Sequence, residues 1–157
     1  MLCQRAENNY VGSPCGIMDQ FIVTLAVGGS ALLLNTRDLN YKLLPMNKGA
    51  LAECRVLIAN SGVKHSIAGG DYGLRRRDLE AAQAALVRKF PCLRDLGDAT
   101  LEQLASSEQE MSAKSLRRCR HVITENARVR DAGEAMLAGD PERLGAIMTE
   151  AHVTGDN

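Results

Sequence analysis

The sequence lacks any imbalance of charge. Its 157 residues carry 19 basic and 19 acidic side chains, which cancel formally at neutral pH. Nucleic-acid binding usually shows a clustered basic excess, so no nucleic-acid partner is expected. The basic runs Arg75-Arg76-Arg77 and Arg117-Arg118 are short, and read as solvated helix faces rather than phosphate sites. No apolar run is long enough to span a bilayer and no signal-peptide pattern opens the chain, so no membrane partner is expected either. There is no internal repeat and no low-complexity tract.

Paired metal-type cysteines are missing too. The five cysteines (Cys3, Cys15, Cys54, Cys92, Cys119) are odd in number and form no Cys-x-x-Cys. His65, His121 and His152 are far apart and pair with no cysteine at ligand spacing, which argues against structural zinc. Free thiols suit a reducing compartment, and the expected location is cytoplasmic.

What is present is enough apolar residue, 45%, to bury a core. Residues 1–10 read as the last turns of a helix already under way, as if the chain began inside an element. Gly and Pro punctuate 11–16 as a loop. A short helix is expected over 17–26 with Phe21, Ile22 and Leu25 as its apolar stripe. Strands at 31–35 and 41–45, with a turn at 38–40, predict a hairpin. Residues 47–51 are a candidate boundary, dividing the chain into 1–50 and 51–157. Arg55-Val-Leu-Ile-Ala59 has the character of a buried strand. A helix is expected from 71 to 89, with Tyr72, Leu79, Leu86 and Phe90 on one face, stopped by Pro91. Thr100-Leu-Glu-Gln103 is a capping box opening a short helix. A long helix follows over 113–138, its buried side marked by Leu116, Cys119, Ile123, Ala127 and Leu137. Gly139 and Asp140-Pro141 signal one helix end and the next helix start. This order is α+β.

Several residues could carry chemistry. Asp19 follows a Gly- and Pro-rich loop and falls in the first helical turn, where the helix dipole favours an ionised carboxylate. Such a group could accept a proton from a substrate hydroxyl, or it could simply serve the helix N-terminus. Glu7, twelve residues earlier, would share a pocket with Asp19 if the loop folds back; two carboxylates near a nucleotide often divide into metal ligand and base. Otherwise Glu7 is a surface residue. Tyr72 could cover a sugar face or pack in the core. Asn126 and Arg130 fall on the mostly apolar side of the long helix and would need buried partners. Cys15 reads as a small buried hydrophobe.

Five blocks, in order and spacing, resemble galactokinases of the GHMP kinase family: Cys3-Gln-Arg-Ala-Glu-Asn8, Cys15-Gly-Ile-Met-Asp-Gln-Phe21, Asn60-Ser-Gly-Val-Lys-His-Ser66, Asp71-Tyr-Gly-Leu-Arg-Arg-Arg77 and His121-Val-Ile-Thr-Glu-Asn-Ala-Arg128. The resemblance runs from Leu2 to about His152. It implies transfer of the ATP γ-phosphoryl group to the anomeric hydroxyl of α-D-galactose with Mg²⁺. It implies that Asp19 is the catalytic acid, that Glu7 holds Mg²⁺, and that Gly16, Asp19 and Tyr72 contact galactose. The implied fold is a partial GHMP-kinase fold. Residues 1–50 would end the N-terminal lobe, and 51–157 would form most of a helix-rich, ferredoxin-like C-terminal lobe.

The departures matter as much. The family's N-terminal sugar motif, its Gly- and Ser-rich phosphate loop and its last Gly-rich segment have no counterpart in this sequence. The ending Val153-Thr-Gly-Asp-Asn157 also drifts from the pattern. The resemblance therefore implies an internal fragment, truncated at both ends and inactive alone. Two other readings stay open: a sugar- and ATP-binding regulator without turnover, and a self-associating remnant that forms homo-oligomers through apolar surface exposed by truncation.

Overall fold

The computed structural model describes residues 2–13, 15–63 and 72–155, with the side chains of 72–76 and 155 outside the description. The chain divides into two compact units. One is Met1–Gly70 with Ala132–Ala146, and the other is Asp71–Asp131 with Ile147–Asn157.

The first unit opens with α1 (Leu2–Arg5), which widens into a π-helical turn over Ala6–Val11. Helix α2 (Met18–Leu25) follows. Strands β1 (Ser30–Leu34) and β2 (Tyr41–Pro45) form the expected antiparallel hairpin, with Ser30 opposite Pro45 and Leu34 opposite Tyr41. Its turn is built by short polar side chains. Asn35 Oδ1 accepts from the Arg37 amide and Asp38 Oδ1 from the Asn40 amide, both at 3.0 Å. Phe21 on α2 meets Tyr41 edge-to-face, with ring centroids 5.9 Å apart. The core of this unit is Leu44, Leu51 and Met136, with Ala31, Leu33, Met46 and Leu144 packed against it.

The second unit holds α3 (Tyr72–Lys89), α4 (Leu101–Ser106) and residues 113–131 of α5 (Ala113–Ala138). It also holds residues 147–155 of α6 (Pro141–Gly155). Leu86 and Leu104 are the most enclosed leucines of its core, alongside Ala82, Leu93, Leu96, Leu116, Cys119 and Ile123. Enclosing each of those two leucines stabilises the fold by about 1.5–3 kcal/mol. The capping box at α4 forms as expected: the Gln103 amide donates to Thr100 Oγ1 at 3.2 Å, and the Thr100 amide to Gln103 Oε1 at 2.9 Å.

Two expectations fail. Residues 55–59 form no strand: Val56, Leu57 and Ile58 are 75%, 92% and 90% exposed. β-Branched composition supplies strand propensity, but a strand exists only where a neighbour completes its ladder, and none does among the described residues. Leu137 is exposed, while Ala135 and Met136 are buried. The last turns of α5 pack in the first unit, so the buried face there is not a continuation of the Leu116–Ile123 stripe.

Candidate functional site

The site begins with a helix that ends in an unusual way. The π turn over Ala6–Val11 stops at Gly12, whose φ of 74° lies in the left-handed region that glycine enters without cost. The Gly12 and Ser13 amides both donate to the Glu7 carbonyl, the latter at 3.0 Å. The chain therefore turns back over Glu7. Asn8 then clamps the far side of the loop. Its Oδ1 accepts from the Cys15 amide at 2.8 Å, and its Nδ2 donates to the Cys15 carbonyl at 3.3 Å.

This fold-back brings α2 against the π turn. Gln20 Nε2 donates to Glu7 Oε1 at 2.7 Å and lies 3.6 Å from Cys15 Sγ. A carboxylate accepts only, so the amide must present its NH₂ to Glu7. That orientation leaves Gln20 Oε1 buried with no partner among the described residues. An orphaned buried acceptor costs on the order of 1–3 kcal/mol.

The electrostatics follow the geometry. The Gln20 amide, and after it the Cys15 thiol, hold Glu7 below the usual carboxylate range against a smaller effect of burial. Burial pushes the Cys15 thiol up, and the hydrogen bond to Glu7 and the charges of Glu7 and Asp19 add to that. Across the loop Glu7 meets Gln20, the residue that follows Asp19 on α2. Asp19 occupies the first turn of α2 and is exposed, and the N-cap residue Ile17 supplies no side-chain cap. Gly16 sits just before α2, and a Cβ placed on it would meet nothing within 4 Å. The backbone of Tyr72 opens α3, but its side chain lies outside the described residues.

Among the described residues no group of three or more His, Cys, Asp or Glu could hold a metal. Glu7 still suits Mg²⁺, which keeps much of its water and takes one or two carboxylates together with substrate phosphates. The five cysteines are free thiols. No described helix is long and apolar enough to cross a membrane.

The second unit has a pocket of about 390 Å³ lined by Ala99, Thr100, Ile123, Ala127, Arg128 and Glu150, among others. Here the expected buried polar residues shift along the helix. Arg130 is exposed and Asn126 half-buried, whereas the Arg128 side chain is only 11% exposed. Arg128 pairs with Glu125 and, at 3.1 Å, with Glu150. Burial opposes its charge, but the two glutamates outweigh that and raise its pKa. The pairing partner on α6 is distant in sequence, so helical periodicity alone could not have singled Arg128 out.

No protein-family profile matches the chain. Curated galactokinases do. The Bos taurus protein is 41% identical over 151 residues, 96% of this chain and 36% of its own length. The Homo sapiens galactokinase is 40% identical over the same shares. That of Streptomyces lividans is 42% identical over 156 residues, 98% of this chain and 38% of its own. A crystal structure of Lactococcus lactis galactokinase complexed with galactose superposes with a TM-score of 0.82 at 22% identity, covering 99% of this chain and 39% of that one. The fold therefore matches part of that kinase structure. The chain spans well under half the length of the curated relatives it matches.

Proposed function

We propose, for a chain that resembles galactokinases along nearly all its length, that it carries the catalytic carboxylate and the metal-holding glutamate of a galactokinase. The reaction would be Mg-ATP-dependent phosphorylation of the anomeric hydroxyl of α-D-galactose. The observation that carries this reading is the Gln20–Glu7 hydrogen bond, which draws Glu7 to the helix turn where Asp19 stands exposed.

Each residue then has a physical task. Asp19, in the first turn of α2, accepts the proton of the anomeric hydroxyl or orients that hydroxyl for in-line attack. Glu7 would hold Mg²⁺. The ion's contribution when bound is to neutralise phosphate charge. Gly16 leaves room for the sugar against the backbone, and Tyr72 would contact it as well. Phosphoryl transfer needs alignment more than covalent help, so placement of these groups is the main contribution of this chain. The proposed lobe assignment is 1–50 for the end of the N-terminal lobe and 51–157 for part of the C-terminal lobe. The free thiols support a cytoplasmic location. The sequence contains no Gly- and Ser-rich phosphate loop, so the isolated chain should not turn over.

A chimera tests this. The segment replaces the aligned 151 residues of Homo sapiens galactokinase, which restores a full-length chain. Galactose-dependent ADP release is expected, and Asp19→Asn should lower kcat by about 10²–10⁴-fold. A folded chimera without activity, or one indifferent to Asp19→Asn, overturns the reading.

A second reading rests on the exposed apolar residues. Val23, Val56, Leu57 and Ile58 are unshielded, and such surface promotes self-association. The isolated chain should form dimers or larger species; a monomeric mass by light scattering across a concentration series would refute this.

A further inference from the structure

We infer that Gln20 is a positioning residue that presets the Glu7 carboxylate for a divalent cation. This rests on the reading of Glu7 as a metal-holding residue. Three observations carry it. The Gln20 Nε2 to Glu7 Oε1 distance of 2.7 Å is among the shorter hydrogen bonds of the site. The same amide reaches Cys15 Sγ, whose backbone is pinned by Asn8, so the donor is anchored to the loop as well as to α2. Finally, Gln20 Oε1 is buried without a partner among the described residues. The arrangement satisfies the carboxylate at the expense of the amide carbonyl, which a side chain placed only for packing would have no reason to do.

The consequence is mechanical. A glutamate on a turn samples many rotamers, and binding a cation would freeze them. Gln20 has already frozen one. With the Cys15 thiol's bond, the Gln20 bond occupies two of about four lone-pair sites of the carboxylate, so acceptor capacity remains for an ion. Partners of metal-holding carboxylates commonly act in this way, fixing direction while the carboxylate makes the bond.

The test uses the chimera with Mn²⁺ and a non-hydrolysable ATP analogue as the probe, because the ion takes substrate phosphates beside its carboxylate, read by ¹⁵N NMR across an Mn²⁺ series. In the unsubstituted chimera, Mn²⁺ should broaden the Gln20 side-chain amide pair and the amides around Glu7, and Glu7→Gln should move this to Mn²⁺ concentrations about tenfold higher or more. Gln20→Met keeps the length and removes the donor; it should weaken Mn²⁺ binding by about tenfold or more. Gln20→Asn, one methylene shorter, should weaken it similarly. Glu7→Gln should also shift the Gln20 side-chain amide resonances before any metal is added, a signature that needs no change at Gln20. If the unsubstituted chimera and Gln20→Met bind Mn²⁺ equally while Glu7→Gln binds it more weakly, the positioning role is wrong and the metal role of Glu7 stands. If Glu7→Gln binds as the unsubstituted chimera does, both fall together.

Discussion

Gly139 and Gly49 approach backbone to backbone. A Cβ on Gly139 would lie 2.7 Å from the Lys48 carbonyl oxygen and 3.0 Å from Gly49 Cα. Both glycines also have positive φ, 72° and 54°. The Lys48 ammonium donates to the Leu137 carbonyl at the end of α5, so the same contact closes an orphaned helix terminus. This close approach ties the segment after the hairpin to the α5–α6 turn within the first unit.

Gly139→Ala should therefore be costly. The left-handed conformation alone costs about 1–2 kcal/mol for a residue with a Cβ, and the clash with backbone adds to it. Gly145 is the contrast. It lies inside α6, and a Cβ there meets nothing within 4 Å, so Gly145→Ala should stabilise by about 0.5–1 kcal/mol. Urea unfolding of the two variants, with m-values compared, checks both signs.

The Gly139 turn was legible in the sequence because its chemistry is local: a left-handed glycine followed by Asp-Pro. The hairpin, α3 and the capping box were legible for the same reason. The failures share a different cause. Val56-Leu57-Ile58 needed a neighbour to become a strand, and Leu137 and Arg128 needed knowledge of which element each turn of α5 packs against. In the candidate site, the motif blocks singled out Asp19 and Glu7 as expectations. The Gln20–Glu7 hydrogen bond was not legible, because Gln20 lies 13 residues from Glu7 and only the loop closure brings them together.

Thr100→Ala tests a local feature without touching the core. It removes the acceptor for the Gln103 amide and unbalances the reciprocal bond. A loss of about 1 kcal/mol is expected, within the usual range of about 0.5–2 kcal/mol. Gln103→Ala should cost less, because it leaves the Thr100 hydroxyl in place. A thermal melt showing no loss for Thr100→Ala would mean that α4 does not depend on its cap.

Gly16→Ala separates folding from function. The site of the new methyl is open space in this chain, and φ there is not in the left-handed region. The urea midpoint should not move. In the chimera, a methyl between backbone and sugar should raise the galactose KM by about tenfold, equivalent to about 1.4 kcal/mol of lost binding. An unchanged KM would remove Gly16 from the sugar contact.

The cysteines give a prediction with a defined sign. Cys3, Cys54 and Cys92 are exposed, Cys15 is half-buried with its thiol pushed up, and Cys119 is buried with its thiol pushed up to about 11. The thiolate is the reactive species, so iodoacetamide should modify the three exposed cysteines first and Cys15 more slowly. Cys119 should react only on unfolding. The same shift links to stability. A thiol that resists ionisation when folded is fully compatible with the fold below its ordinary pKa of about 8.5. Above that, the unfolded chain loses the proton while the folded chain keeps it, so stability falls as pH rises toward about 11. Urea unfolding between neutral pH and about pH 10.5 should show this decline, and Cys119→Ala should make the slope shallower, whatever it costs in packing. An identical slope in wild type and Cys119→Ala would show that the Cys119 proton is not linked to folding.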